Sequence, residues 1–568
     1  MSTRKPGDGA FVGARLKTPA MALLAVSLIP LLAHAFIPLE EFIHRGDDAF
    51  YYFKVAANYP RLGFWSFDGI HSTNGVQPLW AVLLTAIAQL LSWVGIDDLN
   101  GLSRVFVGLG ALLHFASSML LFHLLAKRVS LGTGVAAAGA FLFPMGIVWT
   151  RVWGMENSLY ALMLVSTMAY FHLVFLERGS LRTAVGLGLL LGLTTLARLN
   201  AGLLVPCLLL FYLIRVRREP FAERLRLSSV AGAAAALLIL PYIAANYIST
   251  GHPLPISGAV KAFNTGELFR TFAIDGRLSA DFLSFLIWER GGSVRWFLTS
   301  RSLDGMWISG SRLVFDGATS LPVLLSLLAG WALGPALLGQ PREWLRFVRE
   351  RFARLSPFGY FLVFGVLDAL VSVALYPSEL GYAMTRWWFV ENEIIIVVLV
   401  ATLVMASINY SADRVIPRRA NLTIATAVLA LVIVFHVQQM LRFYYDGRIT
   451  ARDWNPSWND ESYRASQWLS NHAPPNALVG SCNAGVVGYY SRQRVVNLDG
   501  LINNFDLLPY LREKRIADYI KRERIDYLSD MDDMFRRQQL RHQLRLTEVY
   551  SHYSPLMKQQ YRIYRVER

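Results

Sequence analysis

Gly46-Asp47-Asp48-Ala49-Phe50-Tyr51-Tyr52 sets two adjacent carboxylates a few residues beyond the first apolar run of the chain. Ionised groups at the edge of a bilayer are costly, and their presence there points to a functional site. The rest of the sequence decides which side of the membrane they face and what they act on.

The chain has 568 residues, of which 54% are hydrophobic, and a mean hydropathy of +0.37. Repeated apolar runs near spanning length mark an integral membrane protein. Aromatic residues reach 13%, which suits interfacial belts. The net charge of +15 is carried by Lys and Arg in short loops between apolar runs. That placement reads as orientation signal and attraction to anionic lipid, with no nucleic acid partner. Cys207 lies in an apolar run and Cys482 in the polar tail, so no structural disulfide is expected. Arg4, Lys5, Arg15 and Lys17 precede the first run, which ends without a small-residue cleavage site. A retained anchor with a cytoplasmic N-terminus follows.

The first span covers roughly residues 19–38, which brings the chain outside. The run 78–96 is the branch point. If it spans, Lys127-Arg128 fall outside and every later loop violates the positive-inside rule. If it lies at the interface, the second span is 101–126. Arg178, Arg182, Arg215, Arg217, Arg218, Arg342, Arg346, Arg349, Arg414 and Arg418 then all fall inside. The second threading is therefore expected, with 78–96 as a juxtamembrane helix. Further spans follow at approximately 131–149, 157–176, 183–197, 201–214, 228–248, 316–338, 357–376, 389–408 and 421–440. The total is about eleven, which puts the C-terminus outside. The expected fold is an all-α membrane domain over 1–440, with an extracytoplasmic, periplasmic α/β domain over 441–568. In that tail, 461–471 and 507–521 have helical spacing. Residues 477–481, 494–498 and 525–528 read as short strands, with a helix over 485–491.

Asp47 and Asp48 fit a general base with an orienting neighbour, or a helix cap. Glu156, in Arg151-Val152-Trp153-Gly154-Met155-Glu156-Asn157, fits a second acid facing the same cavity, or a cap, or a partner for Arg151. Arg198 and Arg386 break the positive-inside pattern. Each reads as a bidentate phosphate clamp or as a snorkelling side chain. Lys261, after His252-Pro253-Leu254-Pro255, is a candidate of the same kind. Asn74-Gly75 signals a turn into a juxtamembrane helix, and Asn74, Gln77 and Trp80 are candidate substrate-loop residues. His44 and His71 flank the acidic pair. A divalent metal held by His and Asp is conceivable there, but no ligand spacing supports it. No phosphate-binding Walker loop or dinucleotide fingerprint occurs.

Taken in order, Asp47-Asp48-Ala49-Phe50-Tyr51-Tyr52, Asn74-Gly75-Val76-Gln77-Pro78-Leu79-Trp80 and Gly154-Met155-Glu156 resemble the GT-C superfamily of polytopic glycosyltransferases. The resemblance is to enzymes that use polyprenyl-phosphate sugars, of the arabinofuranosyltransferase, aminoarabinose transferase and protein mannosyltransferase kind. Gly251-His252-Pro253-Leu254-Pro255 with Lys261 is similar to a loop of the arabinofuranosyltransferase-like branch. Gly488-Tyr489-Tyr490 and Asn497-Leu498-Asp499-Gly500-Leu501 are similar to that branch's outer domain. The resemblance implies direct, inverting transfer of a sugar from a polyprenyl-phosphate donor to an envelope glycan, lipid or protein. It implies Asp47 as base, Asp48 in support, Glu156 as the second-loop acid, and Arg198 and Arg386 toward the phosphate. Leu199-Asn200 departs from the Pro and acid that often follow the family's Arg. The competing readings are a lipid-linked glycan transporter or flippase, and a non-catalytic envelope assembly protein.

Overall fold

The computed structural model describes residue 25 and residues 27–43, 46–142, 151–216, 219–274, 277–278, 341–375, 390–415, 458–555 and 558–568. Helix α1 (Asp47–Leu62) opens with two acidic residues, which its positive end favours, and closes at Gly63 in the left-handed region. Helix α2 (Pro78–Trp93) starts with Pro at its first position, where no backbone N–H is needed. Helix α3 (Leu99–Arg128) is capped by Asp98, which accepts the Gly101 N–H at 3.0 Å. Then come α4 (Leu131–Leu142), α5 (Asn157–Tyr170), α6 (Leu181–Ala197), α7 (Leu204–Arg215), α8 (Phe221–Thr250) and α9 (Ile256–Phe272). After these follow α10 (Gly359–Leu375) and α11 (Val390–Val415).

Among the described residues three helices are long and apolar enough to cross a membrane: Leu99–Arg128, Asn157–Arg178 and Phe221–Thr250. The pair Arg342–Ala353 and Ser356–Ser372, bent by 50°, makes a fourth if it counts as one span. The expected spans 316–338 and 421–440 lie outside the described residues, as do residues 19–24 and 26 of the first expected span and the expected domain boundary at 440. The run 78–96 forms α2, which at 16 residues is shorter than these. Helices α6 and α8 pack closely because Gly188 and Gly192, one turn apart, leave room for the Ala231 and Ala235 carbonyls. The opposite face of α8 exposes Leu237 and Ile248, as a lipid-facing surface does.

The C-terminal domain begins with α12 (Asn459–His472) and holds β1 (Leu478–Ser481), α13 (Ala484–Tyr490), β2 (Arg494–Asn497), β3 (Tyr527–Met531), β4 (Leu546–Ser554) and β5 (Gln559–Val566). The sheet order is β2-β1-β3-β5-β4. Its first three strands are parallel, and β5 and β4 form an antiparallel hairpin on one side. The hairpin was not expected. Its outer strand is only partly buried and its sequence, Leu546-Thr547-Glu548-Val549-Tyr550-Ser551-His552, has few apolar residues. The expected helix 507–521 is two helices, Leu507–Arg512 and Ile516–Arg522.

The two domains meet along α1. The strand-to-helix turn after β1 aims backbone N–H groups out of the parallel edge of the sheet, a geometry suited to an anion. The Asp47 carboxylate fills that position. Its two oxygens accept the N–H groups of Gly485 and Val486, each at 2.9 Å. Asp530, at the end of β3, holds the same turn by accepting the N–H groups of Cys482 at 2.7 Å and Asn483 at 3.1 Å. The Tyr51 hydroxyl donates to the Cys482 carbonyl at 3.3 Å, and Thr73 donates to the Asn503 carbonyl at 2.8 Å. Backbones this close leave no room for a side chain: a Cβ on Gly485 would meet Asp47, and one on Gly488 would meet the Phe67 ring. His71 sits between Asp68 at 2.7 Å and Glu523 of the C-terminal domain at 3.4 Å.

Burial pushes the Asp47 carboxyl up to about 7, against the two backbone N–H groups that pull it down. Burial likewise pushes Asp499 up to about 8. Between the ordinary aspartate value of 3.8 and these values, the folded chain keeps protons that the unfolded chain has released. Stability therefore falls as pH rises from about 4 to 8. Thermal unfolding in detergent across that range is expected to show the decline, with a shallower slope in Asp47→Asn. Gly488→Ala drives a methyl group into the Phe67 ring, and we expect a loss of about 1–3 kcal/mol. Its readout is a lower unfolding midpoint and faster proteolysis of the C-terminal domain.

Candidate functional site

A cavity of about 320 Å³ opens where α1, the loop before α2, the turn before α5, the break after α6 and the 254–261 segment meet the C-terminal domain. Its charged and polar lining includes Asp48, Tyr51, Tyr52, Gln77, Glu156, Arg198, Asn200 and Lys261, and its apolar wall includes Leu254, Pro255, Leu501 and Ile502. Asp48, Tyr51 and Tyr52 share one face of α1 by their spacing of three and four.

Asp47 does not line the cavity. The expectation that Asp47 faces the reactants with Asp48 in support is reversed in placement, because the C-terminal domain occupies both Asp47 oxygens. Neither residue is the helix cap; Gly46 holds that position without a side-chain bond.

Glu156 is 3% exposed and Arg198 6%, and Glu156 is the strongest of the negative neighbours of Arg198. The Glu156 side chain makes no cap bond to α5, and the ion-pair partner of Arg151 is Glu393. Tyr52 bonds Glu156, and its hydroxyl also accepts the Gln77 N–H at 3.1 Å. Burial and the Glu156 charge together hold the Tyr52 phenol well above its ordinary value, so it is a hydrogen-bond donor at neutral pH. Gly154 precedes this acid with φ +105°, a conformation that favours glycine, and the Phe53 ring lies against it.

Arg198 stands where α6 ends. Its backbone is extended, with φ −156° and ψ 118°, before a short 3₁₀ helix over Leu199–Leu203. The Gln77 side chain accepts the Leu199 N–H at 3.2 Å and so fixes this break from across the cavity. Tyr160 lies under the guanidinium, whose carbon is 5.5 Å from the ring centre.

The other residues singled out in the first long loop are braces. Asn74 accepts the Ile256 N–H at 3.0 Å and donates to the Asn246 side chain at 3.2 Å, so it ties the start of α9 to the end of α8. The expectation of Trp80 as a substrate-loop residue is corrected by its position. It is fully buried and donates its indole N–H to the Gly154 carbonyl at 3.0 Å. Arg386 lies outside the described residues, and so does His44. Among the described residues no three His, Cys, Asp or Glu side chains converge closely enough to hold a metal ion. Sequence reasoning missed Tyr52, Tyr160 and the wall from Leu501 and Ile502. The fold also brings Asp368 to Glu391 behind Arg198.

Residues 452–565 match a family described as a domain of unknown function (DUF8728). No curated protein matches the chain. Among solved structures the fold is similar to the oligosaccharyltransferase of Archaeoglobus fulgidus, in a crystal structure tethered to an acceptor peptide containing the NVT sequon. That comparison has a TM-score of 0.50 and 12% identity, over 95% of this chain and 74% of that one. The archaeal oligosaccharyltransferase AglB from the same organism, in complex with an inhibitory peptide and a dolichol-phosphate, gives the same values. At this identity the likeness is one of fold alone.

Proposed function

We propose that the chain is an inverting glycosyltransferase that moves one sugar from a polyprenyl-phosphate donor to an acceptor hydroxyl on the extracytoplasmic side. The observation that carries this reading is the convergence of two carboxylates, Asp48 and Glu156, with two cations, Arg198 and Lys261, in one small cavity. The cations suit a phosphate, and the carboxylates suit a hydroxyl that must lose its proton. The volume lies near the lower bound of ordinary ligand pockets, roughly 300–1,000 Å³, which favours a single sugar phosphate over an oligosaccharide. Apolar wall beside the cations suits the first units of a lipid chain.

In this reading Asp48 accepts the proton of the acceptor hydroxyl. The oxygen attacks the anomeric carbon from the face opposite the phosphate. The bond from that carbon to the phosphate oxygen breaks, and Arg198 and Lys261 take up the charge that develops on the leaving lipid phosphate. Glu156 orients sugar hydroxyls and keeps Arg198 charged. Asp47 acts through docking, which brings Leu501 and Ile502 into the wall. Arg386 is a further phosphate contact on the strength of the resemblance alone. The domain over 441–568 supplies the acceptor side, and the acceptor is an envelope glycan, lipid or protein.

The test is transfer by purified protein in detergent, from a panel of short-chain polyprenyl-phosphate sugars to cell-envelope acceptor. Asp48→Asn is expected to lose about 10²–10⁴-fold in rate while still folding. Asp47→Asn is expected to keep measurable transfer with weakened domain docking. Abolished transfer in folded Asp47→Asn, with Asp48→Asn active, would return the base to Asp47. Absence of transfer with every donor, together with lipid flux in vesicles, would favour the transporter reading.

A further inference from the structure

Arg198 faces the cavity on one side and a buried polar chain on the other. Tyr160, fully buried, lies under its guanidinium at 5.5 Å and donates its hydroxyl to Glu391 at 3.1 Å. Glu391, 1% exposed, in turn hydrogen-bonds Asp368, 2% exposed. A hydrogen bond between two carboxyl groups takes one proton, so the pair carries a single negative charge. The three residues come from α5, α11 and α10, and none lines the cavity. Their charge acts on Arg198 from behind, as Glu156 does from within.

We propose that Tyr160, Glu391 and Asp368 are positioning residues for Arg198, which set how tightly the cavity holds lipid phosphate and how readily it lets it go. A buried guanidinium with no counter-charge would bind a phosphate too well to release it, and would be costly to bury in the empty state. The carboxyl pair offsets that charge at fixed distance, out of reach of the ligand. The hydroxyl of Tyr160 links the pair to the ring on which the guanidinium lies. Asp368 and Glu391, polar groups inside apolar helices, thereby have one purpose. The inference rests on the reading of Arg198 as a phosphate ligand.

Binding of a short-chain polyprenyl phosphate, with inorganic phosphate as the headgroup control, tests it in the full chain. Arg198→Ala is expected to weaken binding at least tenfold. The double variant Asp368→Asn/Glu391→Gln removes the charge and is expected to tighten lipid-phosphate binding roughly tenfold. In the transfer assay its KM and kcat both fall, because product leaves slowly. Tyr160→Phe keeps the ring and removes the link, and is expected to shift binding in the same direction by two- to threefold. It serves also if the double variant does not fold, since a merely structural role would weaken binding or leave it unchanged. Tightening seen with inorganic phosphate as well would place the effect on the headgroup, as proposed. Weakened binding in Arg198→Ala with unchanged or weaker binding in the other two would overturn the inference and leave the site reading standing. Unchanged binding in Arg198→Ala would overturn both.

Discussion

Two backbone N–H groups, those of Gly485 and Val486, grip the carboxylate of Asp47 across 438 and 439 positions of chain. The grip works because the parallel part of the C-terminal sheet ends in a strand-to-helix turn with donors pointing outward. In a free-standing α/β domain such a turn waits for an anionic ligand. Here the ligand is part of the same chain. Gly485 and Gly488 permit the approach by lacking side chains, and Asp530 stiffens the turn from behind. Once α1 is seated, Asp48 is turned one residue further round the helix, toward the cavity, and Leu501 and Ile502 close the opposite wall.

The cavity floor faces a different constraint. Arg151 and Arg198 are buried cations in an apolar bundle, and each has carboxylates brought to it from other helices: Glu393 for Arg151, Glu156 and Glu391 for Arg198. Charges in such surroundings are tolerable only in balanced sets. The bundle therefore brings acids from other elements to each buried base, and this pairing constrains how those elements pack.

The acidic pair and the cation at Arg198 were legible in the sequence, because each violates what an apolar membrane segment demands. The existence of α2 and of the three short strands of the tail was legible from period and composition. Which of Asp47 and Asp48 faces the cavity was not. Neighbours on a helix point about 100° apart, and the choice depends on a domain hundreds of residues away. Trp80 looked like a binding residue because it follows a conspicuous turn, yet its indole serves to hold Gly154. The links from Arg198 to Tyr160 and Glu391 were invisible for a general reason. An apolar helix announces its length but not which face meets which neighbour. The β4–β5 hairpin escaped because its outer strand is polar and alternates weakly.

The cavity wall is shared between the start of the chain and its far end, and this sets an order in time. Ribosomes deliver α1 long before α13, so during synthesis Asp47 emerges with nothing to hold it. Until β1 and α13 are made, the turn that receives Asp47 does not exist. The site stays unassembled while the helices are being inserted, and a truncated product carries the acids without the pocket. Competence at this site thus reports that synthesis has passed the C-terminal sheet.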